Sequence, residues 1–351
     1  MVISHGPPLK KKTPTTNPSA FAEQLTSWFR ANGRAYPWRR TTDPYAILVS
    51  EIMLQQTQIT TVLERGYYTR WMERFPDFNT LAAASEAEVL KAWEGLGYYR
   101  RAKNLHKLAV VVDSDLGGVF PTVAEQIKAL PGIGPYTAGA IASFAFDQPQ
   151  PIVDGNVARV FSRLFDDATP IDSAPGKKLL WDRADQLVRA AHSPREFNSA
   201  IMELGQTLCR PTSPLCKECP VSSFCTTSRA ESLPVKQSKT QITEITERVF
   251  FCETADGILL EQETGTRRTG MWKLPALPED SKPPPVLHKS VYGITRYRVT
   301  LWVHGAPEKH SGISQHHRRI TTDELPHLPM PSPYRKALNS VLGARHFELE
   351  A

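Results

Sequence analysis

Between about residues 21 and 223, apolar positions recur at helical spacing and strand-like alternation is scarce. Short Gly/Pro turns separate the stretches, which predicts one all-α region. Asp43-Pro44 reads as an N-cap followed by proline at the first helical position. The helix it opens is expected to run on through YAILVSEIMLQQTQITTVLERG. Thr122-Val123-Ala124-Glu125 reads as a capping box ahead of QIKAL. Then the pattern changes. TTSRAESLPVKQSKTQ is polar and nearly core-less, as a linker would be. RVFFCET, GILLEQE, VYGITRY and RVTLWVH are short runs rich in β-branched and aromatic residues, and PYRKALNSVLGA reads as a helix. The expected organisation is a flexible basic tail over 1–18 (Lys10, Lys11 and Lys12), a helical domain over 19–226, a linker over 227–241 and a smaller α+β domain over 242–351.

Length agrees, since 351 residues suffice for two cores. Apolar residues at 40% and charged residues at 22% exclude wholesale disorder and coiled coil. No apolar run approaches the ~20 residues of a membrane span, and MVISHGPPLKKKTPTTNPS lacks the apolar centre of a signal peptide. A soluble, cytoplasmic protein is expected. The net charge of +6 permits a polyanionic partner without establishing one.

Cysteine usage changes the picture more. Cys209, Cys216, Cys219 and Cys225 follow C-x6-C-x2-C-x5-C, while Cys252 stands apart in an apolar run and reads as packing. In an unsecreted chain such crowding indicates metal thiolates rather than disulfides. Four thiolates can hold zinc or an iron–sulfur cluster, and the spacing leaves the two open.

The segment Leu130-Pro131-Gly132-Ile133-Gly134 lies between two helical stretches. Gly132 and Gly134 let the chain turn tightly and leave N–H groups uncovered at a helix N-terminus, a place suited to a DNA phosphate. Two carboxylates stand in unlike surroundings. Glu51 has Ile47, Leu48, Leu54 and Gln55 as helical neighbours and no cation among them, so desolvation should raise its pKa. Asp154 in IVDGNVARV reads as an N-cap, where capping bonds and the helix dipole favour the anion.

LPGIGPYTAGAI resembles the helix-hairpin-helix of base-excision DNA glycosylases, and VDGNVARVFSRLF followed by the cysteine loop resembles the endonuclease III superfamily. SEIMLQQTQ and GLGYYRRA resemble its adenine DNA glycosylase, or MutY, branch. The resemblance is dense over about 20–226 and loose beyond. It implies a mainly α helix-hairpin-helix glycosylase domain with a [4Fe–4S] cluster on the loop at 209–225, plus a smaller α+β, Nudix-like domain that senses 8-oxoguanine. The implied activity is hydrolysis of adenine from A:8-oxoguanine or A:G mispairs in double-stranded DNA, by a monomer.

By that resemblance Glu51 protonates adenine N7, Asp154 stabilises the sugar cation, and Asn156 belongs to the same site. Relatives that also cut the strand carry a lysine where this chain has Tyr136, so a monofunctional enzyme is expected, with Tyr136 hydrogen-bonding near the sugar or Asp154. Arg34, Trp38, Arg39 and Leu54 correspond to the adenine pocket, Gln56, Leu96 and Tyr98 to residues that wedge into the duplex, and Thr295 to a lesion-contacting hydroxyl. Ile294-Thr295-Arg296 departs from the Phe-Ser-His of some members but keeps that hydroxyl. The rivals are a bifunctional glycosylase/lyase, which Tyr136 opposes, and a non-catalytic iron–sulfur DNA-binding protein, which the pair Glu51 and Asp154 opposes.

Overall fold

The protein is described from a computed structural model covering residues 17–237, 241–265, 268–278, 282–307 and 314–349. The lysines at 10–12 and linker residues 238–240 lie outside the described residues. The helical region comprises α1 (Pro18–Asn32), α2 (Pro44–Leu54), α3 (Ile59–Glu64), α4 (Tyr67–Arg74), α5 (Phe78–Ala83), α6 (Glu86–Ala92), α7 (Arg100–Ser114), α8 (Ala124–Lys128), α9 (Pro135–Phe146), α10 (Gly155–Leu164), α11 (Ala174–Arg189) and α12 (Pro194–Thr207). None of the described helices is long and apolar enough to cross a membrane.

Asp43 caps α2 as the sequence predicts, its carboxylate accepting from the N–H groups of Tyr45 (3.0 Å) and Ala46 (3.2 Å). Two local expectations need correction. The helix opened by Asp43 ends at Leu54, and α3 starts only at Ile59, because Gln56 takes φ of 59° and breaks the ladder. The capping box at Thr122 does not form: Val123 is the N-cap of α8 and no side chain caps it.

Compactness divides the chain differently from composition. One unit comprises residues 1–51 and 120–239, and the other 52–119 and 240–351, so the boundary falls inside α2. The first unit is built on Phe21, Leu25, Phe161, Leu187, Phe197 and Leu204, which α1, α10, α11 and α12 contribute to one core.

The second unit holds α3–α7 and the β-rich region. There Trp71 and Trp93 pack edge to face at 5.2 Å. The strands are β1 (Thr243–Phe250), β2 (Glu253–Thr254), β3 (Gly257–Gln262), β4 (Trp272–Lys273), β5 (Val286–Ile294), β6 (Tyr297–His304) and β7 (His317–Ile320), followed by α13 (Ser332–Leu349). β6 lies between β1, to which it is parallel, and β5, its hairpin partner. β3 pairs with β2, β4 and β7, all antiparallel. Val249, Leu260, Leu301, Val303, Tyr334 and Leu338 form the core under α13. Cys252 is buried in a small cluster with Phe250, Leu259 and Leu277, which agrees with a packing role.

Candidate active site

Glu51 is the last residue of α2 that belongs to the first unit and is almost wholly buried, 6% exposed. Burial is the main cause that pushes its pKa up to about 7. The Tyr136 hydroxyl, which donates to it, and the Arg39 guanidinium pull the other way, whereas the nearby Asp154 charge raises it further. The carboxyl can therefore hold a proton near neutral pH.

Tyr136 sits in the first turn of α9, after Gly134 as N-cap and Pro135. Burial pushes its phenol well above the ordinary range, so it stays a neutral donor. Its hydroxyl hydrogen-bonds Glu51, and Asp154, one of the partners the sequence suggested, lies within electrostatic range. Its hydroxyl also lies 3.9 Å from Met202 Sδ on α12.

Asp154 caps α10. Its Oδ1 accepts from the Val157 N–H (2.7 Å) and its Oδ2 from Asn156 Nδ2 (3.0 Å). The positive end of a ten-residue helix thus faces this carboxylate. Asn156 is held in turn, its Oδ1 accepting from Arg159 Nη2 at 2.9 Å. Arg159 also donates to the carbonyls of Gly205 (2.8 Å) and Cys209 (2.9 Å). A continuous hydrogen-bonded chain therefore runs from the first cysteine to Asp154.

Arg39, whose charge acts on Glu51, lies over the rings of Phe29 (5.2 Å) and Tyr36 (4.8 Å) and forms a 2.7 Å ion pair with Glu203. Arg34 reaches the other oxygen of Glu203 at 3.5 Å and remains 56% exposed. Trp38 is buried and stacked on Tyr36 at 5.3 Å, so it supports the pocket wall rather than presenting an open face. Glu203, Arg159 and Met202 escaped the sequence reading. The only signal for Glu203 was a lone acid in the apolar run AIMELG. Its value as a site residue comes from Arg39, 164 positions away in sequence.

The hairpin is as expected. Gly132 takes φ of 77°, and a Cβ on Gly134 would meet nothing within 4 Å, which leaves the backbone before α9 open to a ligand. Within the same unit the cysteine loop wraps Arg163, which donates to Arg210 O (2.6 Å), Pro211 O (3.0 Å) and Cys209 Sγ (3.4 Å). Burial pushes the Cys219 thiol up to about 11; the Val221 N–H opposes this, and the other three cysteines lie close enough to add to it. Among the described residues, no three His, Cys, Asp or Glu side chains converge as ligands of one metal ion.

The remaining candidates lie in the second unit. Leu54 ends α2. Gln56, Tyr98 and Thr295 are all exposed and share an uncommon conformation, with φ of 59°, 48° and 52°. For a β-branched residue such as Thr295 that conformation is strained. Leu96 is buried, and Tyr98 is 40% exposed. Arg101, unforeseen from sequence, joins two of these turns. Its Nη1 donates to the carbonyls of Ile52 (2.9 Å), Met53 (2.9 Å) and Gln55 (2.5 Å). Its Nη2 donates to Thr57 Oγ1 (3.3 Å) and to the carbonyls of Leu96 (3.1 Å) and Gly97 (3.2 Å). Burial lowers its pKa to about 10, which still leaves it charged at neutral pH.

Residues 49–182 match the model of the HhH-GPD superfamily base excision DNA repair protein. An adenine DNA glycosylase of Buchnera aphidicola is 35% identical over 258 residues, 72% of this chain and 71% of that one. The chain belongs to the adenine DNA glycosylase family. The family's Rattus norvegicus member is 48% identical over 216 residues, 59% of this chain, but the match spans only 41% of its own length. A solved thermostable thymine-DNA glycosylase is 31% identical with a TM-score of 0.55, over 61% of this chain and 98% of that one. The helical glycosylase fold is thus shared with that structure.

Proposed function

We propose that this protein is a monofunctional DNA glycosylase that hydrolyses the N-glycosidic bond of adenine mispaired with 8-oxoguanine or guanine. The observation that carries this reading is the buried Glu51, poised to hold a proton near neutrality beside Tyr136 and within electrostatic reach of Asp154. An everted adenine leaves as a neutral base only if a ring nitrogen is protonated as the C1′–N9 bond breaks. Glu51 supplies that proton to N7 while the bonding pair passes into the purine. The sugar becomes an oxocarbenium-like cation, which the capped carboxylate of Asp154 stabilises. A water oxygen then bonds to C1′ and its released proton restores the acid. Asn156 and Arg159 hold Asp154 in place, and the Arg39 guanidinium, fixed by the buried Glu203, offers planar donors to a purine edge.

A lysine at position 136 would favour strand cleavage through a Schiff base, and Tyr136 cannot form one. The four cysteines suit a [4Fe–4S] cluster. Their sulfurs lie within mutual electrostatic range, and Arg163 together with the Val221 and Thr227 N–H groups faces them. When bound, such a cluster would fix the loop that ends at Cys225 and so brace Arg159. The region from Thr243 onward acts as a Nudix-like reader of the oxidised base through the hairpin carrying Thr295, and Gly132 and Gly134 receive the backbone of the adenine strand.

Single-turnover release of adenine from A:8-oxoguanine and A:G duplexes, with alkali added separately to reveal scission, tests the reading. Adenine release faster on the oxidised mispair, with intact strands until alkali is added, is expected. Equal activity on a T:G duplex would instead favour the chemistry named for the thymine-specific structural relative. Borohydride trapping of an efficient covalent adduct would overturn the monofunctional assignment. Cys216→Ser should remove absorbance near ~400 nm and weaken DNA binding.

A further inference from the structure

The second unit contains a large groove of about 890 Å³ that plays no part in the chemistry proposed above. It begins at Gly95, immediately before the Leu96–Tyr98 turn, and its cations are Arg65, Arg70, Arg74, Lys91, Arg335 and Lys336. Two carboxylates line it, Glu73 and Glu94. Glu94 is committed internally: it pairs with Lys91 at 2.7 Å and accepts from Arg335 at 2.8 Å and 3.3 Å. Arg335 is likewise committed, since it also donates to the carbonyls of Leu325 (2.8 Å) and Leu328 (2.6 Å).

Four exposed cations remain: Arg65, Arg70, Arg74 and Lys336. Arg74 lies over the Phe75 ring at 5.4 Å and has a 3.2 Å surface pair with Glu88, both side chains about half exposed, and such pairs contribute little. Arg70 is oriented in advance, over the Tyr67 ring at 5.3 Å and donating to Arg65 O at 2.6 Å. The Tyr67 hydroxyl occupies the place where a Cβ on Gly95 would stand, and Gly95 has φ of 102°. Groove wall and turn are therefore one continuous surface.

We propose that this groove is a further DNA-contact site, which holds the phosphate backbone of the duplex flanking the mispair. The proposal rests on the glycosylase reading for its ligand. Guanidinium forks match phosphate oxygens, and a row of point charges suits an evenly charged backbone. An acidic protein segment is the poorer match, because Trp71 is 1% exposed and the Tyr67 ring lies under the Arg70 guanidinium, so neither offers an open apolar anchor. Contact with phosphates alone carries no sequence preference.

The test is a salt series on the full chain, with equilibrium binding of an undamaged fluorescent duplex. Arg65→Ala, Arg70→Ala and Lys336→Ala should each make the plot of log affinity against log salt shallower by about 0.9, and the triple variant by nearly three times that. Arg70→Lys should keep most of the slope, which separates lost charge from a disturbed fold. Lys178→Ala, at a cation 78% exposed on α11, should leave the slope unchanged. A triple variant with the wild-type slope would overturn the groove as a DNA site, as would an equal change in Lys178→Ala, which would reduce the effect to net charge. Because the duplex is undamaged, these slopes decide the groove even if wild-type protein releases no adenine, and that second failure would count against the catalytic reading alone.

Discussion

The two units treat their candidate functional residues in opposite ways. In the first, Glu51, Tyr136, Asp154 and Glu203 are buried or half-buried and joined by hydrogen bonds, ion pairs or charge. In the second, Gln56, Tyr98 and Thr295 are exposed and carried on left-handed backbone, two of them on turns tied together from below by Arg101. Proton transfer and cation stabilisation gain from desolvation, because charges act more strongly away from water. Probing a duplex requires side chains that project, and a turn that projects needs a rigid base to hold its geometry.

The largest effect expected is at Glu51. Glu51→Gln should lower the single-turnover rate by at least about a hundredfold while duplex binding persists. In the wild type the rate should fall about tenfold per pH unit above about 7, where the folded carboxyl loses its proton. The sign for stability is set by the same shift. The folded group binds its proton more tightly than the unfolded one, with a pKa of about 7 against 4.5, so native stability declines as pH rises through that window. Glu51→Gln should therefore be more stable than wild type above pH 7, by on the order of 3 kcal/mol in urea unfolding. A rate with no break near neutrality would dissolve the contrast between the units.

Next comes Arg101. Arg101→Ala strands six acceptors and should cost on the order of 3 kcal/mol in the same unfolding assay. It should also reduce the preference for A:8-oxoguanine over A:G, since the two turns proposed to probe the duplex lose their common base. Asn156→Ala removes a donor from Asp154 and should slow adenine release about tenfold with little change in affinity. An affinity loss as large as the rate loss would assign Asn156 to binding instead. The smallest effect is expected at Thr295. Glycine accepts its φ of 52° without strain, so Thr295→Gly should gain about 1 kcal/mol of stability while the preference for the oxidised base narrows. Stability and discrimination falling together would mean that the conformation is structural rather than functional.

Much of this was legible along the chain because the signals are local. Asp43 and Asp154 act as caps through N–H groups two or three residues away, and Gly132 shapes a turn from its own φ of 77°. Ile47 and Leu48, one helical turn before Glu51, are buried as their apolar character implies. The capping box at Thr122 was a local signal that failed, since the helix starts one residue later than the pattern implies. The long helix through Gln56 failed because hydrophobic periodicity continues across a break that a single φ value creates.

The sequence by itself determined the classes of element, the change from helix to strand beyond residue 226, the cysteine loop and the two carboxylates, all through periodicity and short-range hydrogen bonding. Tertiary structure alone decided that compactness joins 52–119 to the β-rich region, that Glu203 meets Arg39, that Arg159 links the cysteine loop to Asn156, and that Arg101 spans two turns. The pairings of Glu203, Arg159 and Arg101 place a buried charge against partners some 40 to 160 residues away. Nothing in a local pattern encodes such a partner, because the energy that selects it arises only when folding removes both groups from water.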